Sequence, residues 1–195
     1  ADNSREATLR KSIRLTAELP TLVAACERIR RAKTPVAPNP KQNLAGNFLY
    51  MMSGKKPTPL AAQTFDTALI LHADHEFNAS TFAARVTAAT LSDLHSAVVS
   101  GIGALKGPLH GGANEQVMLM VEKIKDPAKA EAWIRKALAD KARVMGFGHR
   151  VYRVEHPPAK HLKRLAHELG QQVGDTSRVE ILDTVVRVVG SDKHI

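Results

Sequence analysis

Aromatic residues are scarce: five Phe, two Tyr and one Trp supply only 4% of a 195-residue chain in which 44% of residues are hydrophobic. A core must therefore be assembled from Ala, Leu, Val and Ile, which favours helices packed on helices. Cysteine is nearly absent. The lone Cys26 excludes an internal disulfide and points to a reducing compartment, the cytoplasm, and its helical neighbours Val23-Ala-Ala-Cys-Glu-Arg-Ile29 lead us to expect a buried or inert thiol. No run of about eighteen apolar residues occurs, so a membrane-crossing helix is not expected. The start, Ala1-Asp-Asn-Ser-Arg-Glu6, lacks the basic-then-apolar order of an export signal. The expectation is a soluble chain with no membrane partner. Acidic residues are outnumbered, 19 against 28 basic, for a net charge of +9. Such a charge draws anionic ligands, whether nucleic acid or a phosphorylated cofactor with a dicarboxylate. The basic residues are spread over helical stretches without an aromatic-interleaved stripe or a nucleic-acid motif, so nucleic acid is not the expected partner.

At this length the chain fits one domain, or a large lobe with a smaller one. Apolar positions recur at helical spacing from Leu9 to Ala32. Pro20, having no amide donor, either begins a second helix there or kinks a single one. The run Thr34-Pro-Val-Ala-Pro-Asn-Pro40 reads as an extended loop. Further helices are predicted over Leu44 to Ser53, Ala61 to Leu71, Ala79 to Ser92 with Asn78 or Ser80 as cap, and Ser96 to Leu105. Gly101 and Gly103 weaken that last segment and suggest close helix packing. Helices over Glu115 to Lys125, Pro127 to Lys141, Ala159 to Val173 and Arg178 to Val189 complete the series. Within the last, the β-branched run Val185 to Val189 keeps a strand possible. No repeat is seen.

Three histidines stand in turn-forming, glycine-bearing or acid-rich settings: His75 in Leu71-His-Ala-Asp-His-Glu76, His110 in Gly107-Pro-Leu-His-Gly-Gly112, and His149 in Gly146-Phe-Gly-His-Arg-Val-Tyr152. Imidazole titrates near neutral pH and glycine lets backbone and substrate approach, so the pattern suits proton transfer at a bound carbonyl. His110 falls just ahead of a helix N-terminus, where anionic groups are favoured. His72 and His75, three apart beside Asp74 and Glu76, suggest a metal site, but the order is not the zinc-protease pattern and no third ligand is evident. No metal is expected.

These segments, with Phe77-Asn-Ala-Ser-Thr-Phe-Ala-Ala-Arg85 and Asn114-Glu-Gln-Val117 in the same order, resemble citrate synthase and its 2-methylcitrate synthase relatives from about Ser12 to the end. The resemblance implies an all-α citrate synthase-like fold, with residues 1–110 part of a large, dimer-forming helical domain and 111–195 part of a small domain that closes over substrate. It implies condensation of acetyl-CoA, or propionyl-CoA in the alternative, with oxaloacetate. No permanently bound cofactor is expected, CoA entering as substrate, and the assembly would be a homodimer or higher homo-oligomer. His110 and His149 would be catalytic: the first hydrogen-bonding the thioester oxygen as an enolate forms, the second polarising the ketone and donating a proton. His75, Asn78 and Arg150 would bind oxaloacetate. Val144, Met145, Gly146, Phe147 and Gly148 would recognise the CoA adenine and Arg153 its phosphate, although Arg150 and Arg153 also fit ordinary surface charges.

Two departures stand out against the resemblance. The family usually reads Asp-Pro-Arg-Ala, with an arginine forking onto an oxaloacetate carboxylate, where this chain has His156-Pro-Pro-Ala159. The general-base aspartate of the family matches no residue here and is expected past Ile195, just as the first part of the large domain is expected upstream of Ala1. Asp183 and Asp192 read as solvated carboxylates without its surroundings. Little turnover is then expected of these 195 residues alone, and a non-catalytic CoA-binding or assembly module is the alternative of another class.

Overall fold

The computed structural model describes residues 2–74, 77–147 and 158–191. The described residues form nine helices and no strand, so the fold is all-α as expected. They divide into two compact units, Ala1–Gly103 and Ala104–Ile195.

In the first unit α1 (Arg5–Arg30) runs unbroken, with Pro20 inside it, which selects the single-helix alternative. Helices α2 (Leu44–Ser53), α3 (Pro59–His72), α4 (Ala79–Ala89) and α5 (Leu94–Leu105) follow. Their starts are capped by short polar side chains: Ser4, Asn43, Thr58 and Asn78 each accept from an amide of the first turn. Gly54 closes α2 at φ +78°, a left-handed conformation that costs a side-chain-bearing residue. Arg28 clamps this region by donating from Nε to the Thr34 carbonyl at 2.6 Å and from one terminal nitrogen to the Met52 carbonyl at 3.2 Å. Phe48 and Phe65 stack at 4.9 Å between α2 and α3. Gly101 lets α5 approach α4, since a Cβ there would lie 3.3 Å from the Ser80 carbonyl oxygen, whereas Gly103 has no neighbour within 4 Å. The packing expected of the two glycines belongs to Gly101. Cys26 is exposed on α1, which corrects the buried alternative of the expectation and follows from its helix burying only Ala7 and Ala24 completely.

The second unit holds α6 (Gly112–Ile124), α7 (Pro127–Ala139), α8 (Pro158–Val173) and α9 (Ser177–Ser191). Met120, Val121, Ile124, Ala130, Ile134, Val144, Ile181, Val185, Val188 and Val189 form one buried cluster. Val185 to Val189, where a strand was possible, is helical: its valines at one-turn spacing face this cluster, and burial outweighs their β-propensity. Arg187 to Glu131 at 2.7 Å and Arg178 to Glu122 at 2.9 Å tie α9 to α7 and α6 at the rim.

Candidate functional site

The His110 turn is built by backbone contact. The Gly107 carbonyl accepts from the amides of His110 at 3.0 Å and Gly112 at 3.1 Å, and the His110 carbonyl accepts from Ala113 at 3.0 Å. A Cβ on Gly111 would fall 2.7 Å from the Leu105 carbonyl oxygen, and one on Gly112 2.9 Å from that of Gly107. Only glycine permits so tight a fold, and the result is a half-buried His110 presented at the head of α6. Gly111 provides no side-chain cap for α6, and Glu115 is the acidic residue of its first turn.

The Val144–Phe147 loop is supported from the same helix. Val144 is a core residue at 7% exposure, and Phe147 packs against the core cluster. Between them Gly146 takes φ +96°, with Val117 of α6 3.3 Å from where a Cβ would sit. Val117 lies five residues into α6, roughly 8 Å along its axis from Gly112. The second unit thus brings the His110 turn and the Val144–Phe147 loop onto the N-terminal half of one helix. Because the Val144 side chain is buried, a ligand could meet that residue only through its backbone.

Asn78 belongs to the first unit and caps α4: its Oδ1 accepts from the Thr81 amide at 3.0 Å and from the Ser80 hydroxyl at 2.7 Å. His75, Gly148, His149, Arg150 and Arg153 lie outside the described residues. Pro158 is the first residue of α8, a position that suits a ring with no amide hydrogen.

Asp183 corrects an expectation of the sequence. Rather than standing solvated, it bridges α9 to α8, with Oδ1 2.8 Å from Lys163 Nζ and Oδ2 2.8 Å from His167 Nε2. Partial burial pushes its carboxyl up, but the hydrogen bonds from Lys163 and His167 outweigh this and hold it below the ordinary carboxylate value. The signal was present as Lys163 and His167 one helical turn apart. What was missing was the partner, sixteen residues away from His167 in the next helix. Among the described residues no group of three His, Cys, Asp or Glu side chains is arranged to hold a metal ion, and no helix is long and apolar enough to cross a membrane.

The family model of the citrate synthase C-terminal domain matches residues 1–195. The chain belongs to the citrate synthase family. It is 50% identical to citrate synthase 2 of Bacillus subtilis over 97% of this chain and 51% of that protein. To the 2-methylcitrate synthase of Mycobacterium tuberculosis it is 49% identical over 82% of this chain and 41% of that one. The solved ternary complex of carboxymethyl coenzyme A and oxaloacetate with the Thermoplasma acidophilum citrate synthase superposes with a TM-score of 0.87 at 34% identity, covering 96% of this chain and 51% of that chain. The chain therefore spans about half the length of the citrate synthases it matches.

Proposed function

We propose that this chain supplies the oxaloacetate- and acyl-CoA-binding half of a citrate synthase, with His110 and His149 managing the protons of the condensation. The observation that carries the reading is the glycine-built turn that presents His110 at the uncapped head of α6, with the Gly146 loop seated on the same helix. A carboxylate removes a methyl proton from acetyl-CoA, and His110 donates a hydrogen bond to the thioester oxygen as negative charge develops on it. The resulting enolate carbon attacks the oxaloacetate ketone. His149 protonates the ketone oxygen as the carbon–carbon bond of citryl-CoA forms, and water then cleaves the thioester to citrate and CoA. His75, Asn78 and Arg150 hold oxaloacetate; residues 144–148 and Arg153 hold CoA, Val144 through its backbone. We take the proton-abstracting carboxylate to be none of those in this sequence, so turnover by the chain alone is at background. Residues 1–110 act as part of the dimer-forming domain, residues 111–195 as part of the closing one, and the enzyme works in the cytoplasm as a homodimer.

Acetyl-CoA is the first choice of acyl donor. Propionyl-CoA, giving 2-methylcitrate, is the second reading, favoured by the near-equal identities of 50% and 49% to the two kinds of relative. One methyl group in a pocket is worth only about 1–3 kcal/mol. A non-catalytic CoA-binding module is favoured by one residue, Pro158 in place of the family arginine.

Calorimetric titration with CoA and with oxaloacetate tests the binding half of the proposal, and both are expected to bind. A chain lengthened to the full span of its relatives is expected to release free thiol from acetyl-CoA and oxaloacetate, and His110→Ala in it to cut that rate roughly a hundredfold or more. CoA binding with thiol release at background in the lengthened chain would establish the module instead. No binding of either ligand would overturn both.

A further inference from the structure

Phe77 immediately precedes the N-cap of α4 and Phe82 is its fourth helical residue. These are the two positions at which an apolar pair fixes the angle of chain entry into a helix. The rings make that pair, with centroids 6.2 Å apart and planes tilted by 57°. Arg85, three residues beyond Phe82, brings its guanidinium carbon to 4.5 Å from the Phe77 ring centroid. Yet Phe77 and Phe82 remain 58% and 56% exposed, so the cluster removes little apolar surface from water and adds little to the stability of the fold. Its effect is geometric. Asn78 lies inside it, in extended conformation at φ −66° and ψ 166°, with Oδ1 accepting from Thr81 and Ser80. A helix end held only by its cap frays with the first turn, and a cap residue that frays cannot keep its side chain in place for a ligand. The ring of Phe77 anchors the chain on the entry side of Asn78, and Arg85 anchors that ring.

We infer that Phe77, Phe82 and Arg85 are positioning residues for oxaloacetate, acting through Asn78, which they hold in a fixed orientation at the head of α4. This rests on the reading of Asn78 as a substrate ligand given above. A guanidinium lies flat on a ring in a way that an ammonium does not, so Arg85→Lys restores only part of what Arg85→Met removes.

The test is calorimetric titration of the 195-residue chain with oxaloacetate and, separately, with CoA, alongside hydrogen exchange at the Thr81 amide. Arg85→Met and Phe77→Leu are each expected to weaken oxaloacetate about three- to fivefold, as befits an exposed cation–ring contact. CoA affinity should be unchanged and Thr81 exchange faster. The double variant should be little worse than either single one, because both act through the same ring. If Phe77→Leu is silent while Arg85→Met weakens oxaloacetate, Arg85 touches the ligand itself and the inference is overturned. It is also overturned if both variants speed Thr81 exchange but leave affinity intact, which would reduce the cluster to a helix cap. A wild-type chain that binds CoA but no oxaloacetate overturns the substrate reading of Asn78 and this role with it, while unchanged Thr81 exchange in the variants overturns this role alone.

Discussion

At the scale of single residues, two glycines eight positions apart in sequence, Gly103 and Gly111, carry opposite expectations. A methyl group on Gly111 would meet the Leu105 carbonyl oxygen at 2.7 Å, and that atom is backbone with no rotamer to retreat into. Gly111→Ala must therefore push the His110 turn away from the end of α5. The expected cost is about 1–3 kcal/mol. Gly103, helical and with nothing within 4 Å, should accept the same methyl group with a gain of up to about 1 kcal/mol, because alanine loses less backbone entropy in a helix. Thermal melts of the two variants should move in opposite directions, and CoA affinity should fall only for Gly111→Ala. A Gly111→Ala protein that melts like the wild type would show that the turn is not held by close contact. The composition of Gly107 to Gly112 pointed to a tight turn, but which glycine is required for space and which for conformation depends on atoms of α5 that no local pattern reveals.

Helix by helix, the chain was largely legible because its apolar residues recur at helical spacing and its caps are short polar residues in the right places. Asn78 and Pro127 marked helix starts within a residue, and the Pro-rich segment 34–40 fell in the connection between the end of α1 and the start of α2. The exceptions are instructive. Pro20 did not break α1, since a long helix with neighbours on both sides of the proline outlasts one missing hydrogen bond. The Val185–Val189 run became helical because α7 and α6 offer it a buried face. Asp183 was misread because ion pairs between helices leave no trace in either helix alone. It also makes a prediction. The folded carboxyl titrates below its unfolded value of 3.8, so the protein gains stability that is fully present above that value and lost as pH falls through the folded one. Asp183→Asn should therefore destabilise the α8–α9 pair by about 1 kcal/mol at pH 7, solvent screening included. The gap from wild type should be present at about pH 5 and above and close below about pH 4, read from urea unfolding at each pH. A gap that persists undiminished well below about pH 4, where the carboxyl is protonated, would contradict the assignment of Lys163 and His167 as its partners.

Across the whole molecule the two units differ in how they bury apolar surface. The second closes ten side chains into one cluster. Among the described residues the first fully buries only Ala7, Ala24, Ala45, Met51 and Ala97 of its hydrophobics, while Phe82, Val86, Val99 and Ile102 stay between 49% and 67% exposed on α4 and α5. Phe82 and Val86 are four apart and Val99 and Ile102 three apart, so each pair forms a stripe on its helix. Apolar surface of this kind is what a contact with further protein would bury, and under the proposed homodimer a second copy of the chain would be the occupant. Two consequences can be measured. Unfolding of the first unit should shift to higher temperature with rising protein concentration, as association stabilises the state that associates, while the second unit should melt at a concentration-independent temperature. Val99→Asp places an unpaired charge on the stripe without touching a core residue, so it should move the sedimentation coefficient from dimer to monomer and abolish the concentration dependence. The helical signal in circular dichroism should survive in the variant, because the Val99 side chain is already 67% exposed within one copy. If Val99→Asp sediments as the wild type does, α5 is not part of the contact in the proposed dimer.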